Sequence, residues 1–161
     1  METWLSGGKA DRIISRMGFQ SSFRVEAQEF CGGIWLLWNG DISVNVVVVS
    51  NQFIHAIIQG VALDCPCYLT VVYASPQAHY RRHLWDQLDE LNPGDESPWL
   101  IGGDFNALLH LEDRRGGQSG RNYVCRKFQN FVFSCALQEV EFKGSKFTWS
   151  RGICMNDLIG S

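Results

Sequence analysis

The sequence has little that would direct the chain into a membrane or out of the cell. No apolar run approaches the roughly 20 residues that span a bilayer, and the valine run 46–49 lies between Asn45 and Ser50. The first residues lack a basic segment followed by an apolar one, so no secretory signal is visible. The six cysteines form no Cys-x-x-Cys pair, and no Asn-x-Ser/Thr acceptor occurs. We therefore expect an intracellular protein, nuclear or cytoplasmic, with reduced thiols and no membrane partner.

Positive charge is also scarce. The formal net charge is −3 and the pI is near 5.8, whereas nucleic-acid-binding domains are usually basic. Basic residues are nevertheless clustered at 81–82, 114–115 and 121–127, while acidic residues are concentrated at 86–96. The net charge thus argues against a nucleic-acid partner, and the clustering partly offsets that argument. Apolar residues make up 45% and charged residues 19% of the 161 residues, which is typical of one globular domain.

The first half of the chain is predicted to be a short helix followed by antiparallel strands. Residues 9–17 carry apolar side chains at helical spacing, and Gly18 is suited to end that helix. Strands are then predicted at 22–27, 33–38, 42–50, 53–59 and 67–73. Asn39-Gly40 is a strong signal for a hairpin that joins the second and third of these strands.

In the second half the apolar period becomes helical. A helix from Gln77 is predicted to stop at 92–94, and its buried face carries Tyr80, Leu84, Leu88 and Leu91. A strand is predicted at 99–101 and a closing hairpin at 139–142 and 146–149. Between them lies a predicted helix that buries Val124, Phe128, Phe131 and Cys135. This order predicts an α/β (α+β) fold in which helices cover the outer faces of sheets.

The clearest chemical signal is Gly102-Gly103-Asp104-Phe105-Asn106, which follows the apolar run 99–101. We expect the two glycines to turn the backbone sharply and let it approach a ligand closely. The acid and the amide are two residues apart, so an extended backbone would point both side chains the same way. A carboxylate can accept a proton or bind a hard cation, and an amide can orient phosphate or water. The alternative is a structural turn with a capping asparagine.

Other polar residues give weaker signals. His79 and His83 have the spacing of metal ligands on a helix, but they share a polar face with acidic residues, which favours a solvated surface. His55 and His110 have no partner at a recognisable spacing. Cys65-Pro66-Cys67 is interpreted as a turn before a strand, since two thiols without a second pair do not make a zinc site.

Six separated segments together carry a family resemblance. They are Met1-Glu2-Thr3, Gly32-Gly33-Ile34-Trp35-Leu36-Leu37-Trp38, Val72-Tyr73-Ala74-Ser75-Pro76, the run from Trp99 through Asn106, Arg115-Gly116-Gly117 and Phe147-Thr148-Trp149. In combination they resemble the endonuclease/exonuclease/phosphatase superfamily, and most closely the endonuclease domain of plant LINE-type (non-LTR) retrotransposons. The resemblance implies a four-layer α/β/β/α sandwich that cleaves phosphodiesters with Mg²⁺ or Mn²⁺. On this basis we divide the chain into a partial domain at 1–151 and a divergent tail at 152–161.

The resemblance also implies a role for each matching side chain. Glu2 matches a metal-binding glutamate, and Tyr73 matches a tyrosine that contacts the scissile phosphate. Asp104 matches the aspartate that activates or positions the attacking water. Asn106 matches the asparagine that hydrogen-bonds the phosphate. The implied substrate is DNA, gripped through its phosphate backbone.

Four arginines lie in segments that family members use to grip the duplex. They are Arg81, Arg82, Arg114 and Arg115. Contact with DNA phosphates and simple solvation are equally consistent with the sequence.

The sequence departs from the family pattern at both ends. The family has an Asn-bearing strand before its Glu-Thr motif and a late Ser-Asp-His, whereas residues 152–161 here read Gly-Ile-Cys-Met-Asn-Asp-Leu-Ile-Gly-Ser. We therefore expect an incomplete DNA endonuclease domain that is inactive or nearly so, and the sequence leaves open whether its full-length ancestor was fused to a reverse transcriptase. The alternatives are a domesticated or otherwise non-catalytic remnant, and a phosphatase for small phosphorylated molecules. Gly-Gly-Ile-Trp-Leu-Leu-Trp and Arg-Gly-Gly favour the retrotransposon branch over the phosphatase.

Overall fold

The computed structural model describes residues 7–27, 32–94, 97–113 and 124–140, and within them the chain forms four layers. Helix α1 (Gly7–Arg16) covers an antiparallel pair of strands, β1 (Ser21–Val25) and β2 (Ile34–Trp38). The next layer is a sheet of order β3-β4-β5-β6, made of Ile42–Val49, Phe53–Gly60, Cys67–Tyr73 and Trp99–Asp104. The last layer is α2 (Leu84–Asp89) and α3 (Arg126–Ser134), and 3₁₀ turns lie at Tyr80–His83 and Leu111–Asp113. The predicted α/β/β/α arrangement is confirmed over the described residues.

Three apolar clusters hold the layers together. Ala10 and Ile14 of α1 pack on Trp35 of β2, which is the junction of the first two layers. Ile34 and Ile54 lie in the cluster between the two sheets. The largest cluster joins the outer face of the four-stranded sheet to α2 and α3, and its buried members are Phe53, Val72, Ala74, Leu84, Trp85, Leu88, Phe128 and Phe131. Because side chains alternate along a strand, one face of β2 packs against α1 and the other packs against the four-stranded sheet.

The hairpin predicted at Asn39-Gly40 is wrong. β2 pairs with β1 and β3 pairs with β4, so the strands on either side of this turn belong to different sheets. The turn is closed by a hydrogen bond from the Ile42 N–H to the Asn39 carbonyl (3.1 Å), and it takes the chain from one layer to the next. A turn motif indicates only the local backbone conformation. It does not determine whether the two strands that it joins pair with each other or with other strands.

The helix predictions are confirmed in outline and corrected in detail. Gly18 has φ +77° and is the second residue after the first helix, as its predicted role requires. Tyr80 lies in a 3₁₀ turn and is 49% exposed, because the α-helix proper begins at Leu84. Val124 forms an isolated bridge with Leu108 instead of a helical turn. The closing hairpin predicted around 139–149 falls largely outside the described residues.

None of the helices in the described ranges is long and apolar enough to cross a bilayer.

A buried polar network joins β4, β5 and β6. His55 is 3% exposed, and its Nδ1 lies 2.8 Å from Oγ1 of its cross-strand partner Thr70. The indole N–H of Trp99 donates to the same hydroxyl oxygen at 2.8 Å. The histidine ring also stacks on Tyr68, with ring centroids 5.4 Å apart. His55 thus has partners that its sequence position did not reveal, and burial lowers its pKa from the ordinary value of 6.5.

The stability of the fold is expected to fall as the pH falls below 6.5. A histidine with a lowered pKa stays neutral in the folded state while the unfolded chain takes up a proton, so acid favours unfolding. Urea unfolding measured between pH 7.5 and 5 should show this loss in the wild type and a flatter profile in His55→Gln. The matched control is His79→Gln, which alters an exposed histidine and should keep the wild-type slope. An unchanged slope in His55→Gln would contradict the assignment.

Candidate functional site

The candidate site is the edge where β5 and β6 end. These strands are parallel and in register, with Tyr73 opposite Asp104 at their carboxyl ends. Beyond the pair, the N–H of Ala74 donates to the Asp104 carbonyl at 2.8 Å. Carboxyl ends of parallel strands are where α/β folds present chemical groups. The topology therefore brings the two sequence-predicted residues Tyr73 and Asp104 together although they are distant in the chain.

The two glycines of the motif lie inside β6, so the sharp turn predicted for them is wrong. Gly103 has φ +140°, and a Cβ built on it would lie 1.9 Å from the Val72 carbonyl oxygen. A Cβ on Gly102 would meet nothing within 4 Å. Gly103 is therefore required because the backbone of β5 passes too close for any side chain.

The acid and the amide are held by each other and by Ala74, the residue after β5, and the backbone leaves the extended conformation at Asn106. Asp104 Oδ1 accepts a hydrogen bond from the Asn106 N–H at 2.9 Å. Asn106 adopts φ +46°, a conformation that asparagine tolerates better than most residues, and its Nδ2 donates to the Ala74 carbonyl at 2.9 Å. Both residues are exposed at the surface. The local bonds are those of a structural turn, and the turn also presents a fixed carboxylate and amide to solvent.

Phe105 anchors this turn in the helical layer. It is half-buried and stacks on Phe128, with ring centroids 4.8 Å apart, and on Trp85 at 6.3 Å. The two polar side chains of the motif are therefore carried by a segment whose apolar residue is packed in the largest core cluster. This packing limits the movement of the two polar side chains, and a site with a fixed geometry requires such support.

Tyr73 is largely buried at this edge. It is 5% exposed and belongs to the inter-sheet cluster with Ile34 and Ile54. Its main-chain N–H donates to the Gln52 carbonyl at 2.8 Å. The structure places its backbone at the site, and the predicted contact of its phenol with phosphate stays a prediction.

The predicted arginines differ in their surroundings. Arg81 is half-buried, and its Nη1 donates to the carbonyls of Ser75 (2.6 Å) and Pro76 (3.0 Å). Burial lowers the pKa of Arg81. Its bond to the Ser75 carbonyl places the guanidinium next to Ala74, whose main chain bonds both Asp104 and Asn106. Arg82 is exposed, and its carbonyl accepts a bond from Lys127. Glu2, Arg114 and Arg115 lie outside the described residues.

Sequence reasoning missed Gln52, which lies between the predicted strands 42–50 and 53–59. The residue is 6% exposed. Its Oε1 accepts from the Ser75 N–H at 2.8 Å and its Nε2 donates to the Tyr80 carbonyl at 3.2 Å. Nothing in its local sequence distinguishes it from a surface glutamine, because its partners lie 23 and 28 residues away.

The donors at the edge are compatible with a hard cation. Mg²⁺ typically binds through one or two carboxylates and keeps several waters, and Asp104 offers one exposed carboxylate. Within the described ranges, no three His, Cys, Asp or Glu side chains are grouped so that they could hold a metal ion. His79 and His83 are exposed, and His110 lies 2.6 Å from a carboxylate oxygen of Glu139.

Comparison with known proteins places the chain in a family. A solved structure of the human Nocturnin catalytic domain with bound sulfate anion matches with a TM-score of 0.44 and 15% identity, covering 63% of this chain. The present chain spans 48% of the length of that structure. No curated protein matches the sequence. The family model described as Endonuclease/Exonuclease/phosphatase family matches residues 32–153, and this chain therefore belongs to that family.

Proposed function

We propose that this domain is a divalent-metal-dependent phosphodiesterase that acts on DNA and derives from a LINE-type retrotransposon. The observation that carries the proposal is the exposed Asp104–Asn106 pair, fixed at the carboxyl ends of two parallel strands in a chain of this hydrolase family. The resemblance of the sequence to retrotransposon endonucleases supplies the substrate class. A small phosphorylated molecule is the competing substrate.

Two features of the pair suit it to phosphate chemistry. A carboxylate has about four acceptor positions, so the bond from the Asn106 N–H leaves Asp104 able to hold a water or a cation. The Asn106 amide carries two hydrogens, and the one that does not go to Ala74 can donate to a phosphate oxygen. Arg81, which is bonded to the Ser75 carbonyl beside Ala74, adds positive charge where a phosphate would bring negative charge.

The proposed division of labour follows from these donors. Asp104 orients the attacking water and accepts its proton, and Asn106 stabilises the charge that develops on the phosphate. Mg²⁺, when bound, supplies Lewis-acid stabilisation of a phosphate oxygen. We keep Glu2 as a proposed metal ligand and Tyr73 as a proposed phosphate contact.

DNA is the proposed partner through its phosphate backbone. The proposed contacts are the exposed Arg82 together with Arg114 and Arg115. Arg81 takes part through its charge, since its Nη1 is already engaged by two carbonyls.

We also propose that turnover by the 161-residue chain is close to background. The sequence contains no Ser-Asp-His segment, which in the family assists the chemistry. Without a general acid that corresponds to that segment, no side chain protonates the leaving oxygen, and general-acid catalysis typically raises the rate by about 10²–10⁴-fold. Binding is consequently the more informative measurement for this chain.

The experiment is a titration of a short labelled DNA duplex with and without Mg²⁺. In the wild type, Mg²⁺ should strengthen binding about tenfold, or 1.4 kcal/mol. Asp104→Asn should lose that gain and, without Mg²⁺, bind slightly more tightly because one negative charge is removed. The matched control is Asp64→Asn, which removes an exposed carboxylate from a turn distant in sequence and should keep the Mg²⁺ effect.

Three alternative results would each contradict one part of the proposal. Equal Mg²⁺ effects in the wild type and Asp104→Asn would overturn the role of Asp104. Release of phosphate from a small phosphomonoester, without metal-dependent DNA binding, would favour the phosphatase. Plasmid nicking that depends on Asp104 and Mg²⁺ would overturn the expected low turnover and support the assignment of the site.

A further inference from the structure

We infer that Gln52 is a positioning residue, whose buried amide sets the place of the segment 73–76 and, through it, of Asp104 and Asn106. The inference rests on the proposed function for the meaning of the site, and on the described contacts for the coupling itself. Among the described residues, the side chain of Gln52 bonds main-chain groups of Ser75 and Tyr80, and it acts on the site through that backbone.

The first step of the coupling is the set of bonds that Gln52 makes. Its side chain is bonded at both ends, to the N–H of Ser75 at 2.8 Å and to the carbonyl of Tyr80 at 3.2 Å. Its main-chain carbonyl accepts the N–H of Tyr73 at 2.8 Å. One residue that is 6% exposed therefore holds both sides of Ala74 and the start of the following 3₁₀ turn.

The second step is the role of Ala74. Its N–H donates to the Asp104 carbonyl at 2.8 Å, and its carbonyl accepts Nδ2 of Asn106 at 2.9 Å. Ala74 is fully buried, with 0% of its surface exposed. Any displacement of the backbone at 73–75 is thereby transmitted to the acid and to the amide of the site.

The chemistry of the position explains the choice of glutamine. The site needs a donor for the Tyr80 carbonyl and an acceptor for the Ser75 N–H at the same time. A primary amide offers both without a charge, whereas glutamate offers only acceptors and methionine only a weak one. A buried N–H or carbonyl that loses its partner is costly, so the segment would shift to recover one.

The test compares Gln52→Met with Gln59→Met by NMR of the intact chain. Gln59 is exposed on β4 and serves as the matched control. In Gln52→Met, the side-chain amide hydrogens of Asn106 should exchange about tenfold faster, because the Ala74 carbonyl no longer stays in place. The indole N–H of Trp99, bonded to Thr70 on the same sheet, should keep its wild-type rate.

The Trp99 signal separates positioning from general loss of stability. Faster exchange at Asn106 alone supports the inference, and equal acceleration at both positions overturns it. If Gln52→Met does not fold, Gln52→Glu is measured at neutral pH. It keeps the acceptor for Ser75 and loses the donor to Tyr80, and it should give a smaller change at Asn106. Unchanged Asn106 exchange in a folded Gln52→Glu overturns the inference.

DNA binding supplies the functional readout. Gln52→Met should reduce the Mg²⁺-dependent gain in affinity about fivefold, and combining it with Asn106→Ala should add little, since both act on one element. Additive effects would overturn the coupling. If the wild type shows no Mg²⁺-dependent binding, the proposed function fails, and the exchange experiment still decides whether Gln52 positions Asn106.

Discussion

Gly103→Ala is expected to prevent stable folding of the four-stranded sheet. The added methyl carbon would lie 1.9 Å from the Val72 carbonyl oxygen and within 3 Å of two other backbone atoms of that residue. Backbone atoms in a parallel ladder cannot move aside without breaking the pairing of β5 with β6, and φ +140° is itself unfavourable for alanine. We expect a loss on the order of 4 kcal/mol or more, against a total stability of about 5–15 kcal/mol.

Gly102→Ala is the matched control for this prediction. It adds the same methyl group one residue earlier in the same strand, where nothing lies within 4 Å. Urea unfolding of the two variants should give a near-wild-type midpoint for Gly102→Ala and no cooperative transition, or a strongly lowered midpoint, for Gly103→Ala. Similar midpoints in both would show that β5 and β6 do not approach as closely as described.

Trp85→Ala is expected to have the second largest effect. Trp85 is 3% exposed in α2 and stacks on Phe128 of α3, with ring centroids 4.5 Å apart. Truncating a buried aromatic side chain to alanine typically costs about 3–5 kcal/mol, because transfer energy is lost and a cavity remains. The loss also removes the contact with Phe105, so the acid–amide turn should become more mobile.

The measurement is again chemical unfolding, with Phe133→Ala as the control. Phe133 is an aromatic residue of α3 that is 88% exposed, and its truncation should change stability by less than about 0.5 kcal/mol. Trp85→Phe should fall between the two, since it keeps part of the stacked surface. A Trp85→Ala variant as stable as Phe133→Ala would mean that the helical layer does not depend on this stack.

The features predictable from sequence were those governed by short-range patterns. The helix before Gly18 lies close to its predicted bounds, and the strand predicted at 99–101 is present, although it continues through the two glycines to Asp104. The first turn at Tyr80 was mispredicted because α and 3₁₀ turns have nearly the same apolar spacing over one turn. The hairpin at Asn39-Gly40 was mispredicted because a strand has two edges and the turn does not specify which one is used.

In the candidate site, too, the residues of a local motif were predictable and those with distant partners were not. Asp104 and Asn106 were identifiable because they stand together in one short motif, whereas Gln52 was not, because each of its side-chain partners is more than 20 residues away. The geometry predicted for the pair was also wrong in one respect. The left-handed backbone of Asn106 and its bond to Ala74 depend on the neighbouring strand, which no local pattern describes.

The sequence by itself was enough to identify the helix and strand patterns, the family and the acid–amide motif, because each depends on contiguous or regularly spaced residues. Only the tertiary structure decided that Gly103 allows the close contact of β6 with β5, that Arg81 is bonded to the segment beside the site, and that Gln52 holds two segments at the site. The physical reason is that a hydrogen bond or a van der Waals contact depends on distance in space. Chain folding makes neighbours of residues that sequence separation keeps apart.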